Sequence, residues 1–418
     1  MPCAPSQLAG ALGAIAWLAA SGSAADWPRF MGPNGDGTSS EKGLLRAWPA
    51  EGPKVLWTVK LGPGYGGAAV RDGKVFVLDR VDQKQDVLRC LDLETGKEEW
   101  TFGYDAPGSI DHDGSRSTPT VGEKLVFIIG PFGQVHCLDR ATHAVVWKKH
   151  LADDFGGTLP RWKVTQSPLL HEDMVIIAPQ SSQAGVVALE QDTGKERWRS
   201  KPVGPLAYAS PKLLKLDGVE QFTVITPEGV VAVAAKDGAE LWRYAHRCMI
   251  PIPNVSELGG GKLFVTAAYM SGSAIIQVAL DGDKWNVKEL ARIKDIGGHC
   301  HPALVYQDHL YVLCNTNERN DGMVCFDAEG KLLWQTKREP FLEKGGSILT
   351  ADGLIYLMDG RTGELHVMEP SPESFKSLAK AKLLEGKEIW GPLALSGGRL
   401  LIRDQTQMKC VDLRADKQ

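Results

Sequence analysis

CLDLETGKEEW (residues 90–100) reads as a short strand, a turn at Thr95-Gly96 and a second strand ending in Trp100. Glycine supplies the positive φ that such a hairpin turn needs. The pattern returns as CLDRATHAVVW (137–147), ALEQDTGKERW (188–198), AVAAKDGAELW (232–242) and CFDAEGKLLW (325–334). Runs of alternating apolar residues accompany these copies: GKVFVLD (73–79), EKLVFIIG (123–130), DMVIIAP (173–179), KLFVTAA (262–268), DHLYVLC (308–314), GLIYLMD (353–359) and GRLLIRD (398–404). Alternation marks half-buried strands rather than helices. Trp57, Trp100, Trp147, Trp198, Trp242, Trp285 and Trp334 follow one another at spacings of 43, 47, 51, 44, 43 and 49 residues. A period in the forties with four strands per unit predicts β-propeller blades.

Trp57 stands in PKVLWTVKL without a hairpin before it, and residues 389–412 supply three strands before the chain stops at Gln418. The expected fold is therefore an all-β, eight-bladed β-propeller of four-stranded antiparallel blades, its last blade closed by the strand around Trp57. Closure removes the free sheet edges that invite aggregation. Blade 5, around Trp285, and blade 7, at 365–383 without a tryptophan, are degenerate copies. The propeller is expected over 55–413, with an N-terminal extension at 26–54 and a C-terminal tail at 414–418.

The 418 residues carry 47 Lys plus Arg against 51 Asp plus Glu. This mildly acidic balance lacks the basic field of a nucleic-acid binder. The 13-residue apolar run LAGALGAIAWLAA (8–20) is too short for a membrane span but suits a signal-peptide core. Small residues at 21–25 permit cleavage before Asp26, although no Lys or Arg precedes the run. A signal peptide over 1–25 and a periplasmic or secreted chain, with no transmembrane span once mature, are the expectation. Cys90, Cys137, Cys325 and Cys410 occupy equivalent positions in the repeat, where other copies carry Ala188 and Ala232. That position wants a small buried side chain rather than a disulfide. Only Cys248, Cys300 and Cys314 are left for special chemistry.

The A/C-L-D-x-x-T-G-K-x-x-W pattern resembles the PQQ-like β-propeller repeat, the superfamily of quinoprotein alcohol dehydrogenases and BamB-type outer-membrane assembly proteins. The likeness covers roughly 55–413, and DWPRFMGPNGDG (26–37) resembles the mature start of exported family members. It implies docking of each tryptophan between neighbouring blades. WD-type propellers carry Trp-Asp on the third strand, whereas tryptophan here lies on the fourth. The repeat is specific for the fold and says little about activity.

In such a ring, the connections between blades and the middle hairpins share one face. That face carries the long segments 101–116, 148–166 and 315–322, and loops longer than a connection needs concentrate function. Inner strands start at STP (117–119), QSP (166–168), ASP (209–211), CHP (300–302) and WGP (390–392). One residue further back stand Tyr65, Arg116, Thr165, Tyr208, His299 and Ile389, with Lys344 equivalent in blade 7. Arg116, His299 and Lys344 on a concave mouth suit an anionic ligand or peptide carboxylates. Tyr65, Arg116, Trp162, Tyr208, His299 and Lys344 form the candidate ligand or cofactor set, and His299 with His301 a candidate half of a metal site. Asp111, His112 or Asp113 could complete that metal site, but Asp111-His112-Asp113-Gly114 lacks the oxygen ligands of a full calcium loop.

The reading preferred on these residues is a binding or scaffold module taking a protein segment or small molecule at the channel mouth, with no certain cofactor and no catalytic residue assigned. The resemblance offers an alternative, a quinoprotein oxidoreductase acting on alcohols or sugars with PQQ and calcium. Trp162 would then stack on the cofactor and Arg116 or Lys344 would pair its carboxylates, with Asp111 or Asp113 as base. The adjacent cysteine pair frequent in those dehydrogenases is missing here. A third possibility is a metal-dependent enzyme built on His299 and His301. No G-x-S-x-G or GK[ST] signature occurs.

Overall fold

The computed structural model describes residues 25–315 and 319–415. Most of the segment read as a signal peptide therefore lies outside the described residues. Eight four-stranded antiparallel blades form a ring, one of them with an added fifth strand, and the described residues contain no helix. Blade 1 consists of Ala69–Arg71, Lys74–Val81, Gln85–Asp92 and Glu98–Asp105. Blades 2 to 7 open with the inner strands Thr120–Val121, Leu169–His171, Lys212–Leu216, Ser256–Gly259, Leu304–Tyr306 and Ser347–Thr350. Blade 8 is Ala394–Ser396, Arg399–Arg403 and Gln407–Asp412, and Val55–Lys60 completes it as the outer strand. Blade 5 departs from the others through a hairpin of two 12-residue strands, Met270–Asp281 and Lys284–Asp295.

The repeat pattern acquires a physical meaning in the register. Cys90, Cys137, Ala188, Ala232, Cys325 and Cys410 each pair across the ladder with Trp100, Trp147, Trp198, Trp242, Trp334 and Trp57 respectively. A small side chain there accommodates the indole beside it. The four repeat cysteines are free and buried, and burial pushes their thiols up to about 12. Three of the indoles reach into the next blade, where Trp57, Trp147 and Trp334 donate to the carbonyls of Leu93, Gln191 and Ser371 at 2.7–2.8 Å. Apolar side chains of neighbouring blades fill the wedges between sheets, so the core is distributed around the ring; Phe127 and Trp147 of blade 2 pack with Val175 and Leu189 of blade 3.

The extension at 26–54 is laced into the ring. Trp27 forms a bridge with Val70 of blade 1, and Val121 of blade 2 donates to the Pro28 carbonyl at 2.8 Å. Ten residues on, Thr38–Ser39 pairs in parallel with Leu349 and Thr350 of blade 7. The segment between these anchors crosses the central channel, and Phe30 faces the cavity described next.

Candidate functional site

A cavity of about 650 Å³ opens at the channel mouth, on the face of the inter-blade connections and middle hairpins. Its volume lies within the range of small-molecule sites. Tyr65, Arg116, Trp162, Tyr208, His299 and Lys344 all line it, and so do Thr165 and His301. The propeller symmetry explains the convergence, because each of these residues precedes or enters an inner strand. Ile389 does not follow the expectation: it is buried in the core, and its neighbours Glu388 and Trp390 face the cavity instead. Glu388 has φ +58°, which breaks the two-residue alternation just before that strand.

Tyr65 donates to Glu388 Oε2 at 2.6 Å, and His112 Nδ1 lies 3.1 Å from Glu388 Oε1. Burial pushes the Glu388 carboxyl up, but the bonds from Tyr65 and His112, with the charges of His112 and Lys344, outweigh it and hold the group below its usual range. The Lys344 ammonium is 4.5 Å from the Trp390 ring centre and 3.2 Å from Glu343. Arg116 lies over the Tyr65 ring at 5.3 Å and donates to the carbonyls of Asp111, His112 and Gly114. It thereby shapes the loop that delivers His112 as well as bringing charge to the rim. Arg361 and Lys387 add two more cations, neither with a carboxylate partner among the described residues. Four Lys or Arg side chains thus meet two carboxylates in the lining of an otherwise acidic protein.

Aromatic rings supply the other component. Trp162 and Tyr208 have ring centres 5.7 Å apart, Tyr65 and Trp390 5.4 Å, and Tyr269 meets His299 edge-on at 5.0 Å. Both 101–116 and 148–166 contribute lining residues, while the described part of 315–322 contributes none.

The two candidate histidines face the cavity but are differently engaged. His301 Nε2 donates to the Trp390 carbonyl at 2.9 Å, and burial lowers its pKa to about 4. His299, desolvated and close to Lys344, is lowered to about 3, and its Nδ1 is 3.5 Å from Cys300 Sγ. Asp113 pairs with Arg80 Nε at 3.0 Å and Asp111 with Arg161 at 3.3 Å, and neither lines the cavity. Arg80 is buried and also holds Asp86 at 3.0 Å, so Asp113 anchors its loop. The grouping of His, Asp or Glu with metal-like spacing among the described residues is His171, Glu172 and Glu220, in the hairpin turns of blades 3 and 4 on the opposite face.

Sequence reasoning missed Phe30, Tyr269, Ile250, Ile252, Arg361, Lys387, Glu388 and Trp390. Tyr269 and Arg361 come from middle hairpins on the same face, a position the repeat could have flagged.

A family model described as outer membrane protein assembly factor BamB matches residues 41–128 and 83–249. BamB of Moranella endobia (strain PCIT) is 21% identical over 325 residues, covering 73% of this chain and 67% of the relative. The quinoprotein ethanol dehydrogenase of Pseudomonas aeruginosa is 30% identical over 145 residues, 31% of this chain. That match spans only 22% of the dehydrogenase's own length. Among solved structures, the quinohemoprotein alcohol dehydrogenase of Comamonas testosteroni superposes with a TM-score of 0.65 at 14% identity, covering 94% of this chain and 81% of the other.

Proposed function

The chain belongs to the PQQ-like β-propeller family, and from that premise we propose that it is an exported binding module whose channel-mouth cavity takes a carboxylate-bearing ligand, either a small molecule or an acidic peptide end. The single observation that carries this reading is the convergence of Arg116, Lys344, Arg361 and Lys387 with aromatic rings on one cavity. Arg presents a planar fork to carboxylates and Lys a point charge. Tyr65 and Trp390 support Arg116 and Lys344 through cation–π contacts, which pre-position both charges before a ligand arrives. Export rests on the apolar run at 8–20 and the small residues after it. Among the described residues no helix is long and apolar enough to cross a membrane.

The second reading, a quinoprotein oxidoreductase, is favoured by the segment shared with the ethanol dehydrogenase. A flat ring bearing carboxylates fits the lining: Trp162 and Tyr208 offer faces, and Arg116 and Lys344 offer counter-charges. Bound there, such a quinone would supply two-electron oxidation of an alcohol. A calcium ion, which takes six to eight oxygens, does not fit equally well. Among the described residues Glu343 and Glu388 are the carboxylates in the lining, and Glu388 is occupied by Tyr65 and His112.

Titration of the chain from Asp26 onward with pyrroloquinoline quinone, read by tryptophan fluorescence with and without calcium, tests the proposal. One-to-one binding that is indifferent to calcium, without dye reduction over alcohols and sugars, supports a binding module. Calcium-dependent binding with substrate-dependent dye reduction favours the oxidoreductase. Failure of this and other carboxylates to bind at millimolar concentration removes the anion site.

A further inference from the structure

The charges around the cavity are not evenly distributed. In chain order around the ring, the segments entering blades 7, 8 and 2, with the middle hairpin of blade 7, supply every Asp, Glu, Lys and Arg of the described lining, and the segment entering blade 1 between them adds Tyr65. Among the described residues, the opposite half, over blades 3 to 6, supplies none. It offers Trp162, Tyr208, Ile250, Ile252 and Tyr269, together with the uncharged polar groups of Thr165, Ser210, His299, Cys300 and His301. This uncharged, largely aromatic and aliphatic half continues onto the surface, where Met249 is 75% exposed and Met270 56% exposed, each beside a lining residue. Their flexible, polarizable thioethers suit contact with variable apolar shapes.

We propose, resting on the anion-binding reading above, that the ligand is amphipathic: a single acidic group held by the charged half and an aryl or alkyl body lying across Ile250, Ile252, Tyr208 and Trp162. The two halves impose different costs. A second carboxylate at the far end of the ligand would be desolvated against isoleucine and tryptophan without a partner, which is strongly unfavourable. An uncharged ligand would leave Arg361 and Lys387 without the counter-charge that the cavity invites. An arylcarboxylate of cinnamate type satisfies both halves and is well below the cavity volume of about 650 Å³.

The test is isothermal calorimetry with three probes, ferulate, methyl ferulate and citrate, on the chain from Asp26 onward, with pyrroloquinoline quinone run in parallel. The expected result is saturable binding of ferulate, at least tenfold weaker binding of its methyl ester and no detectable binding of citrate. Ile252→Ser should weaken ferulate roughly fivefold, in line with loss of apolar contact. Equal affinity for ferulate and its ester would overturn the proposal by showing the charged half to be idle. Citrate binding more tightly than ferulate would overturn it while leaving the anion site standing, and so would binding of the quinone alone. No binding of any of the four would remove both readings together.

Discussion

The indole of Trp57, on the strand that closes the ring, lies against Gly96 of blade 1. A Cβ placed on Gly96 would sit 2.6 Å from the ring carbons, and Gly96 has φ +69°. Trp147 meets Gly194 in the same way, and a Cβ on Gly238 would lie 2.5 Å from Trp198. In blade 2 the glycine is replaced by His143, which keeps the left-handed conformation at φ +61° and stacks under Trp100 at 4.4 Å. The Thr-Gly turn of the repeat is therefore the seat of the preceding blade's tryptophan, and at Trp57 the contact joins the last blade to the first.

Gly96→Ala should destabilise the protein by about 2–4 kcal/mol, combining left-handed strain with displacement of Trp57. Gly73→Ala is the matched control: it has φ +70° but nothing within 4 Å of the new methyl group. Strain alone should cost it about 1 kcal/mol. Urea midpoints of the two variants measure the docking contribution as a difference.

His136 is buried, with Nδ1 unpartnered and Tyr104 at 4.3 Å between ring centres. Desolvation, with a smaller contribution from Lys148, lowers its pKa to about 4. An unfolded chain takes up this proton near the ordinary value, about 6.5, whereas the folded one resists it. Stability from this group is therefore complete above about pH 6.5 and is lost as pH falls toward 4. At pH 5 the loss is roughly 2 kcal/mol. His136→Phe should lose that much less than the parent between pH 7 and pH 5 in urea unfolding at the two pH values.

Of the thiols in the chain from Asp26 onward, Cys300 alone is partly exposed and lines the cavity. N-ethylmaleimide should modify a single cysteine in the native state, slowly, since burial pushes that thiol up to about 12. Peptide mass mapping should place the label on Cys300, and a bound ligand should protect it. Labelling of the buried Cys90 or Cys410 before Cys300 would contradict the blade packing.

Tyr65→Phe removes the hydrogen bond to Glu388 and with it one of the influences holding that carboxyl low. The Glu388 pKa should rise, measurable by carboxyl chemical shifts against pH, with little change in the urea midpoint.

The blades were legible because the tryptophan, its small ladder partner and the turn residue that seats the indole recur at nearly constant spacing. Symmetry then carried the rim as well: a residue just before each inner strand places Arg116, Tyr208 and His299 around one mouth. What escaped did not obey the repeat. Phe30 reaches the cavity from an extension that crosses the channel, a contact no local pattern encodes. Ile389 was chosen over Trp390 because the positive φ at Glu388 shifts the phase of the chain before blade 8. Asp113 is absent from the cavity because Arg80, more than thirty residues earlier, claims it.

The most direct test of the account is the affinity of Lys344→Met for ferulate against that of the parent chain. Lys344 is buried at the rim between Glu343 and the Trp390 ring, and methionine preserves much of its length. If the charged half of the mouth holds the ligand's acid group, calorimetry should show at least a tenfold loss, about 1.4 kcal/mol, in a variant that circular dichroism shows to be folded. Equal affinity in the two proteins, both folded, would contradict the account.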